Sequence, residues 1–160
     1  MKLPATPLFL AALLTLSSSV QAQAHGHSHD HGSAEAPALL HLNAGKKWQT
    51  DAPLRGAMGR INGAMAHALP RIHQERFSDA DYAALAATVN KEVAYAVEHC
   101  KLGAEADAML HLVIADLLAG AEVMQDQEGT SRHDGAVKVA KALQAYGRYF
   151  AHPGWKPARD

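Results

Sequence analysis

The feature that most constrains the fold of this chain is the spacing of its apolar residues, which recur at intervals of three and four. The first such run has apolar side chains at Leu54, Met58, Ile61, Met65, Ala68 and Leu69. This spacing puts them on one face of an α-helix, and similar runs follow later in the chain. The alternation of apolar and polar residues typical of a half-buried strand does not occur in the sequence. The pattern therefore predicts an all-α fold.

Capping residues and helix breakers predict where the first two helices begin and end. Thr50 or Asp51 is placed to cap the first helix, and Pro53 falls in its opening turn, where a missing amide proton costs nothing. Pro70 is expected to end that helix, because the residue before a proline disfavours helical dihedral angles. The run from Ser78 to Asp81 resembles a capping box that opens the second helix. Its inner face is expected to carry Tyr82, Leu85, Val89, Val93, Val97 and Cys100.

Two further helices are expected after the break at residues 101–103. The third, at about 104–126, is apolar almost all round and is expected to be the most enclosed. The fourth follows a polar loop from Asp126 to Gly135 and is stopped by Pro153. Its inward residues are expected to be Val137, Ala140, Leu143, Tyr146 and Phe150. Short connections between amphipathic helices favour an antiparallel up-and-down four-helix bundle over residues 48–155.

Composition supports helical packing and disfavours several classes of function. Hydrophobic residues make up 48% of the chain and aromatic residues only 6%, so the core is built largely from alanine, leucine and valine. The single cysteine rules out an intramolecular disulfide. A formal charge of −1 and the lack of a basic patch disfavour nucleic-acid binding. The sequence contains no phosphate-binding glycine loop, nucleophile elbow or paired-cysteine zinc motif, so we expect that the protein is not an enzyme.

The amino terminus has the three parts of a secretion signal. Lys2 supplies the positive start, Leu8 to Leu16 form the apolar run, and Ala22-Gln23-Ala24 fits the small-x-small cleavage rule. The alternative is an uncleaved membrane anchor, but the apolar run has nine residues, whereas a bilayer span needs about 20. We therefore expect residues 1–24 to be a cleaved signal peptide, a location in the periplasm, and no membrane span after processing.

A histidine-rich tail and linker, residues 25–47, follow the signal. Four histidines alternate with other residues at its start: His25, His27, His29 and His31. Cleavage after Ala24 makes His27 the third residue, and cleavage after Ala22 makes His25 the third. A free amine, two deprotonated amides and a third-residue imidazole form the square-planar nitrogen set that suits Cu(II) or Ni(II). The tail therefore predicts copper binding, and the alternative is a polar leader whose histidines meet metal by chance.

The predicted topology also places soft donor atoms together at one end of the bundle. The starts of the first and third helices and the ends of the second and fourth share that end, which carries Met58, Cys100 and His111. These residues are candidate ligands for Cu(I). Each has an ordinary structural explanation as well: Met58 as a core filler, Cys100 as a small buried hydrophobe, and His111 as a histidine oriented by Asp107 or Asp116. His99 is expected to face solvent.

At Met58 and at the end of the fourth helix, the chain resembles the small b-type four-helix cytochromes of the periplasm. In that family a methionine early in the first helix and a histidine late in the fourth hold haem between them. The resemblance implies a haem b site formed by Met58 with His152 or, alternatively, with His111. Tyr146 is similar to the aromatic residue beside the family's histidine, but Gly147 follows it in this chain.

A second resemblance concerns residues 47–55. Their sequence, Lys-Trp-Gln-Thr-Asp-Ala-Pro-Leu-Arg, resembles the opening of a family of small exported bacterial helical proteins without a firmly assigned activity.

These observations together predict a periplasmic bundle that binds copper and buffers or delivers it, with a periplasmic protein or a second copy of the chain as its partner. Two alternatives stay open. One is an electron carrier containing haem b, and the other is a structural or interaction bundle whose histidine tail is incidental.

Overall fold

The computed structural model describes residues 39–126 and 131–159. These residues form four α-helices: α1 (Ala52–His73), α2 (Asp79–His99), α3 (Ala104–Gln125) and α4 (Arg132–Tyr149). The helices pack against one another, which confirms the predicted all-α four-helix bundle. Within the described ranges, the only β-type pairings are two isolated bridges. The predicted signal peptide and residues 25–38 of the histidine tail lie outside the described residues.

The predicted caps of the first two helices are confirmed. Asp51 caps α1 by accepting a hydrogen bond from the Leu54 amide at 3.0 Å, and a proline occupies the first turn. Ser78 and Asp81 form a capping box in which each side chain accepts from the other residue's amide. Hydrogen bonds from Ser78, followed by those from Arg71, lower the pKa of Asp81 to about 2. These local bonds set where the two helices begin.

Two predicted helix boundaries are wrong. The first helix continues through Pro70 to His73, because Pro70 costs α1 one amide donor whereas the extra turn buries Ile72 in the core. The fourth helix already begins at Arg132, within the predicted loop, and Gly135 in its first turn packs closely against α3. A β-carbon at Gly135 would lie 2.6 Å from the Gly120 carbonyl oxygen, so glycine permits this close approach.

The core is built from residues of all four helices, but the exposed positions differ from expectation in two places. Val97, predicted to face inward, is 56% exposed, and its neighbour Ala96 takes the buried position. Leu118 of α3 is 40% exposed, although α3 has more buried residues than any other described helix, as predicted. The inner face of each helix is therefore close to the predicted one, with a shift near the end of α2.

The segments on either side of the bundle are tied to each other. The Trp48 amide donates to the Tyr149 carbonyl at 2.8 Å, and the Ala151 amide donates to the Trp48 carbonyl at 2.8 Å. Further along, Asn62 of α1 accepts from the Ala158 amide at 2.7 Å. We call residues 151–158 the C-terminal segment. It is held against α1 and α4 rather than extending away from them.

In the described ranges, no helix combines the length and the apolar character needed to span a membrane.

Candidate functional site

The four tail histidines, His25, His27, His29 and His31, lie outside the described residues. Their proposed chemistry therefore depends on the sequence alone. The remaining candidate ligands, Met58, Cys100, His111 and His152, are all described.

Met58 lies in the hydrophobic core. Its side chain is 2% exposed and belongs to the same buried cluster as Leu54 and Ile61. A thioether in this position is enclosed by apolar groups and fills space in the core.

His111 points away from that core. Its side chain is 60% exposed, and its Nδ1 lies 2.9 Å from the Asp107 carbonyl oxygen and 3.4 Å from the Asp107 carboxylate. Asp107 is the residue four positions earlier on the same helix, so this contact orients the imidazole locally. The structure thus places His111 at the surface and Met58 inside, and one ion cannot be bound by both without rearrangement of α1 or α3.

Cys100 lies at the C-cap of α2 and is half-buried. Burial, followed by the negative charges of Asp51 and Asp107, raises the pKa of its thiol. The thiol is therefore neutral near pH 7, whereas metal ions bind the thiolate. The neighbouring His99 is exposed, as predicted, and its ring stacks on Tyr95 with 4.3 Å between centroids.

His152 belongs to an aromatic cluster at the end of α4. Its Nδ1 lies 3.1 Å from the hydroxyl oxygen of Tyr146, whose side chain is fully buried. Burial raises the pKa of Tyr146, so its hydroxyl stays protonated and can donate to Nδ1 when the imidazole proton is on Nε2. Burial, followed by the positive charge of Arg55, lowers the pKa of His152. The imidazole is thus held in its neutral form.

Polar groups surround this cluster on the side of α1. Arg55 donates through Nη1 to the Thr50 carbonyl at 2.5 Å and to the Thr50 hydroxyl oxygen at 3.1 Å. The Thr50 hydroxyl in turn donates to the Ala151 carbonyl at 2.5 Å. These bonds fasten the start of α1 to the C-terminal segment, and so they fix the position of His152.

The cluster around His152 does not fit haem. Trp155 lies with its ring centroid 4.8 Å from that of His152 and 4.8 Å from that of Tyr146. A β-carbon at Gly147, which follows Tyr146 where the resembled family has its histidine, would overlap the Trp155 indole at Cδ1 and Nε1. The chain's own aromatic rings fill the space beside His152, and Met58 is buried in the core. Haem could bind between these two residues only after those contacts had broken.

The described residues contain no group of three or more histidine, cysteine, aspartate or glutamate side chains placed to hold a metal ion. No protein-family model, curated protein or solved structure matches this chain. The resemblance to four-helix cytochromes is therefore supported only at the level of the bundle fold.

Sequence reasoning did not assign Trp155, Gly147, Thr50 or Arg55 to the candidate site. A signal for two of them is present in the sequence: a glycine in the last turn of a strong helix, followed within eight positions by a tryptophan beyond the helix end. Glycine at such a position marks a place where another group approaches the backbone closely. The Thr50 hydroxyl bonds to Ala151, about 100 positions away in the chain. Arg55 bonds to Thr50 at the start of α1. No local sequence pattern predicts either contact.

Proposed function

We propose that this protein binds copper in the periplasm through its N-terminal tail and buffers the ion or delivers it to a periplasmic partner. The observation that carries the proposal is the run of four alternating histidines directly after the expected cleavage site: His25, His27, His29 and His31. Whichever of the two sites is cleaved, a histidine becomes the third residue of the mature chain.

The chemistry of the site follows from that position. The new terminal amine and the imidazole of the third residue flank two backbone amides, which lose their protons when Cu(II) binds. Four nitrogen atoms then surround the ion in a plane. The later histidines of the tail supply additional neutral imidazoles, which raise the local capacity for metal near pH 7. Binding of this kind releases protons, so it weakens as the pH falls.

The described residues favour the tail over the bundle as the metal site. Met58 is buried, His111 is exposed and Cys100 carries a neutral thiol, so the three donors offer no common position for an ion. The proposal therefore assigns copper to the tail and does not include an internal Cu(I) site. Haem is not part of it either, because aromatic rings fill the space beside His152.

The bundle's role in the proposal is to anchor the tail. The described chain begins at Leu39, eight residues after His31. From there, residues 39–48 are held by a hydrogen bond of 2.7 Å from the Trp48 indole to the His41 carbonyl. Trp48 is itself buried and bonded to the end of α4. A tail joined to this anchor stays attached to a folded carrier while its histidines bind and release ions.

The proposal includes the secreted location and the up-and-down order of the helices. Two ion pairs between α1 and α2 support antiparallel order for that pair: Arg71 with Asp81 at 2.7 Å, and Arg60 with Glu92 at 2.7 Å. Arg71 lies later in α1 than Arg60, whereas its partner Asp81 lies earlier in α2 than Glu92. This order is expected for helices that run in opposite directions.

Copper titration of the correctly processed protein tests this function. The mature chain should bind one Cu(II) tightly, with the visible absorption of a square-planar nitrogen complex. Replacing the four tail histidines by alanine should abolish that complex. The matched control replaces four exposed histidines of the described helices, His67, His73, His99 and His133, and should leave it intact.

Two further variants separate the tail from the bundle. Met58→Leu and Cys100→Ala should leave the Cu(II) affinity unchanged. An extra residue at the mature amino terminus should weaken binding, because it moves the histidine out of third position. If mass spectrometry finds a blocked or differently trimmed terminus, and titration yields no tight complex, the proposed function is wrong.

A further inference from the structure

The end of α4 carries a second candidate site, distinct from the tail. Its floor is Gly147, a glycine in the last turn of the helix with no side chain to cover the backbone. The indole of Trp155 lies directly on this floor, because a β-carbon at Gly147 would overlap its Cδ1 and Nε1 atoms. The absence of a side chain at Gly147 therefore lets a flat ring lie against the helix backbone.

Aromatic side chains form the walls of this site. The Tyr146 ring meets the indole nearly edge-on, at 4.8 Å between centroids and 73° between planes. The imidazole of His152 lies 4.8 Å from the indole with a tilt of 43°. Edge-to-face and tilted contacts at these distances stabilise aromatic pairs beyond the area that they bury. The Tyr146 hydroxyl also holds His152 in place, so both walls are fixed.

The ring that occupies the site is an imperfect occupant. The Nε1 atom of Trp155 is buried but has no hydrogen-bond acceptor among the described residues. Leaving a buried donor unpaired has a measurable cost. The indole is brought to the site by the C-terminal segment, which is non-helical and is held to α1 through Asn62. Its position thus depends on the tether as well as on the fit of the ring.

From this geometry we infer that Gly147, Tyr146 and His152 form a binding site for a planar aromatic ring, which the chain's own Trp155 occupies as a tethered ligand. The chemical class is a flat two-ring heteroaromatic compound of the size of indole. The site does not involve the histidine tail or copper, so a test of this inference does not depend on whether the proposed function is correct.

Free indole is the probe that tests this inference. Three versions of the full mature chain are compared: wild type, Trp155→Ala, and Trp155→Ala combined with Gly147→Ala. Indole binding is measured by saturation-transfer NMR. The Trp155→Ala chain should bind indole at least tenfold more tightly than the other two, because wild type already holds its own ring and the added methyl group in the double variant fills the floor. The tail is present in all three chains, so any binding to it cancels.

Equal indole affinity in the three chains, whether measurable or absent, would overturn the inference. So would binding by Trp155→Ala that Gly147→Ala leaves undiminished. A second measurement applies if Trp155→Ala loses helical structure by circular dichroism. In that case indole should restore the helical signal of the single variant and not that of the double variant, and failure to restore it would equally refute the site.

Discussion

The contact between Gly147 and Trp155 makes a prediction in which one substitution has opposite effects in two backgrounds. Gly147→Ala adds a single methyl group in the last turn of α4. In the wild-type chain that methyl group would overlap the Trp155 indole. In a Trp155→Ala chain the same methyl group meets no indole.

The expected magnitudes follow from two opposing terms. Replacing glycine by alanine within a helix stabilises it by about 0.5 to 1 kcal/mol. Forcing an added group into a packed place costs about 1 to 3 kcal/mol. Gly147→Ala should therefore destabilise the wild-type chain by about 1 kcal/mol and stabilise the Trp155→Ala chain by about 0.5 to 1 kcal/mol. The coupling free energy between the two positions is then about 2 kcal/mol, within the range of directly contacting residues.

Urea unfolding of the four chains, followed by circular dichroism at 222 nm, measures this coupling. Gly59→Ala is the matched control, because a β-carbon at Gly59 of α1 meets nothing within 4 Å. It should stabilise both backgrounds by about 1 kcal/mol without coupling to Trp155. If Gly147→Ala shifts stability equally in the two backgrounds, the indole does not lie on Gly147 and the reasoning is refuted.

Three further predictions concern other contacts. The pKa of His152 lies below its usual 6.5 in the folded chain. As the pH falls, the unfolded chain therefore takes up this proton before the folded chain does. The contribution of His152 to the free energy of unfolding is fully present above pH 6.5 and declines as the pH falls through 6.5 toward the lower folded pKa. His152→Gln should flatten that part of a plot of the urea midpoint against pH. Arg60→Met should lower the free energy of unfolding by about 3 kcal/mol, because it leaves the buried Glu92 carboxylate without its partner. Glu92→Gln should lower it by only about 1 kcal/mol, since Arg60 is half exposed. Thermal unfolding of both variants checks the asymmetry, and equal costs would contradict it. Ser78→Ala should cost about 1 kcal/mol by removing the cap of α2, and an unchanged melting temperature would show that the capping box contributes nothing.

The helices of this protein were largely predictable because their signals are local. Asp51 and Ser78 cap helices through hydrogen bonds to amides three positions away. The apolar residues that predict α1 likewise recur at intervals of three or four positions, so each lies within two turns of the next. Pro70 shows where such reasoning ends: a local rule predicted that the helix would stop, but burial of Ile72 against the rest of the core outweighed the loss of one hydrogen bond.

The candidate site was less predictable, since it depends on how each helix is rotated within the bundle. His111 has apolar neighbours in sequence and yet faces solvent, because adjacent helical residues point about 100° apart and the buried positions go to Met109 and Leu110. Val97 is exposed and its neighbour Ala96 is buried for the same reason. Small differences in helix rotation decide which side chains meet, and apolar spacing alone does not set them.

The sequence by itself determined four amphipathic helices, the residues that cap the first two, and the run of histidines on which the proposed copper chemistry depends. All of these follow from interactions between residues a few positions apart. Only the tertiary structure decided that Trp48 pairs with Phe150, that Asn62 holds Ala158, and that Trp155 lies on Gly147. The first two contacts join residues about 100 positions apart, and the third places a residue beyond the helix end back on the helix. The first two contacts form because folding brings the two ends of the bundle's chain together, which no local pattern encodes.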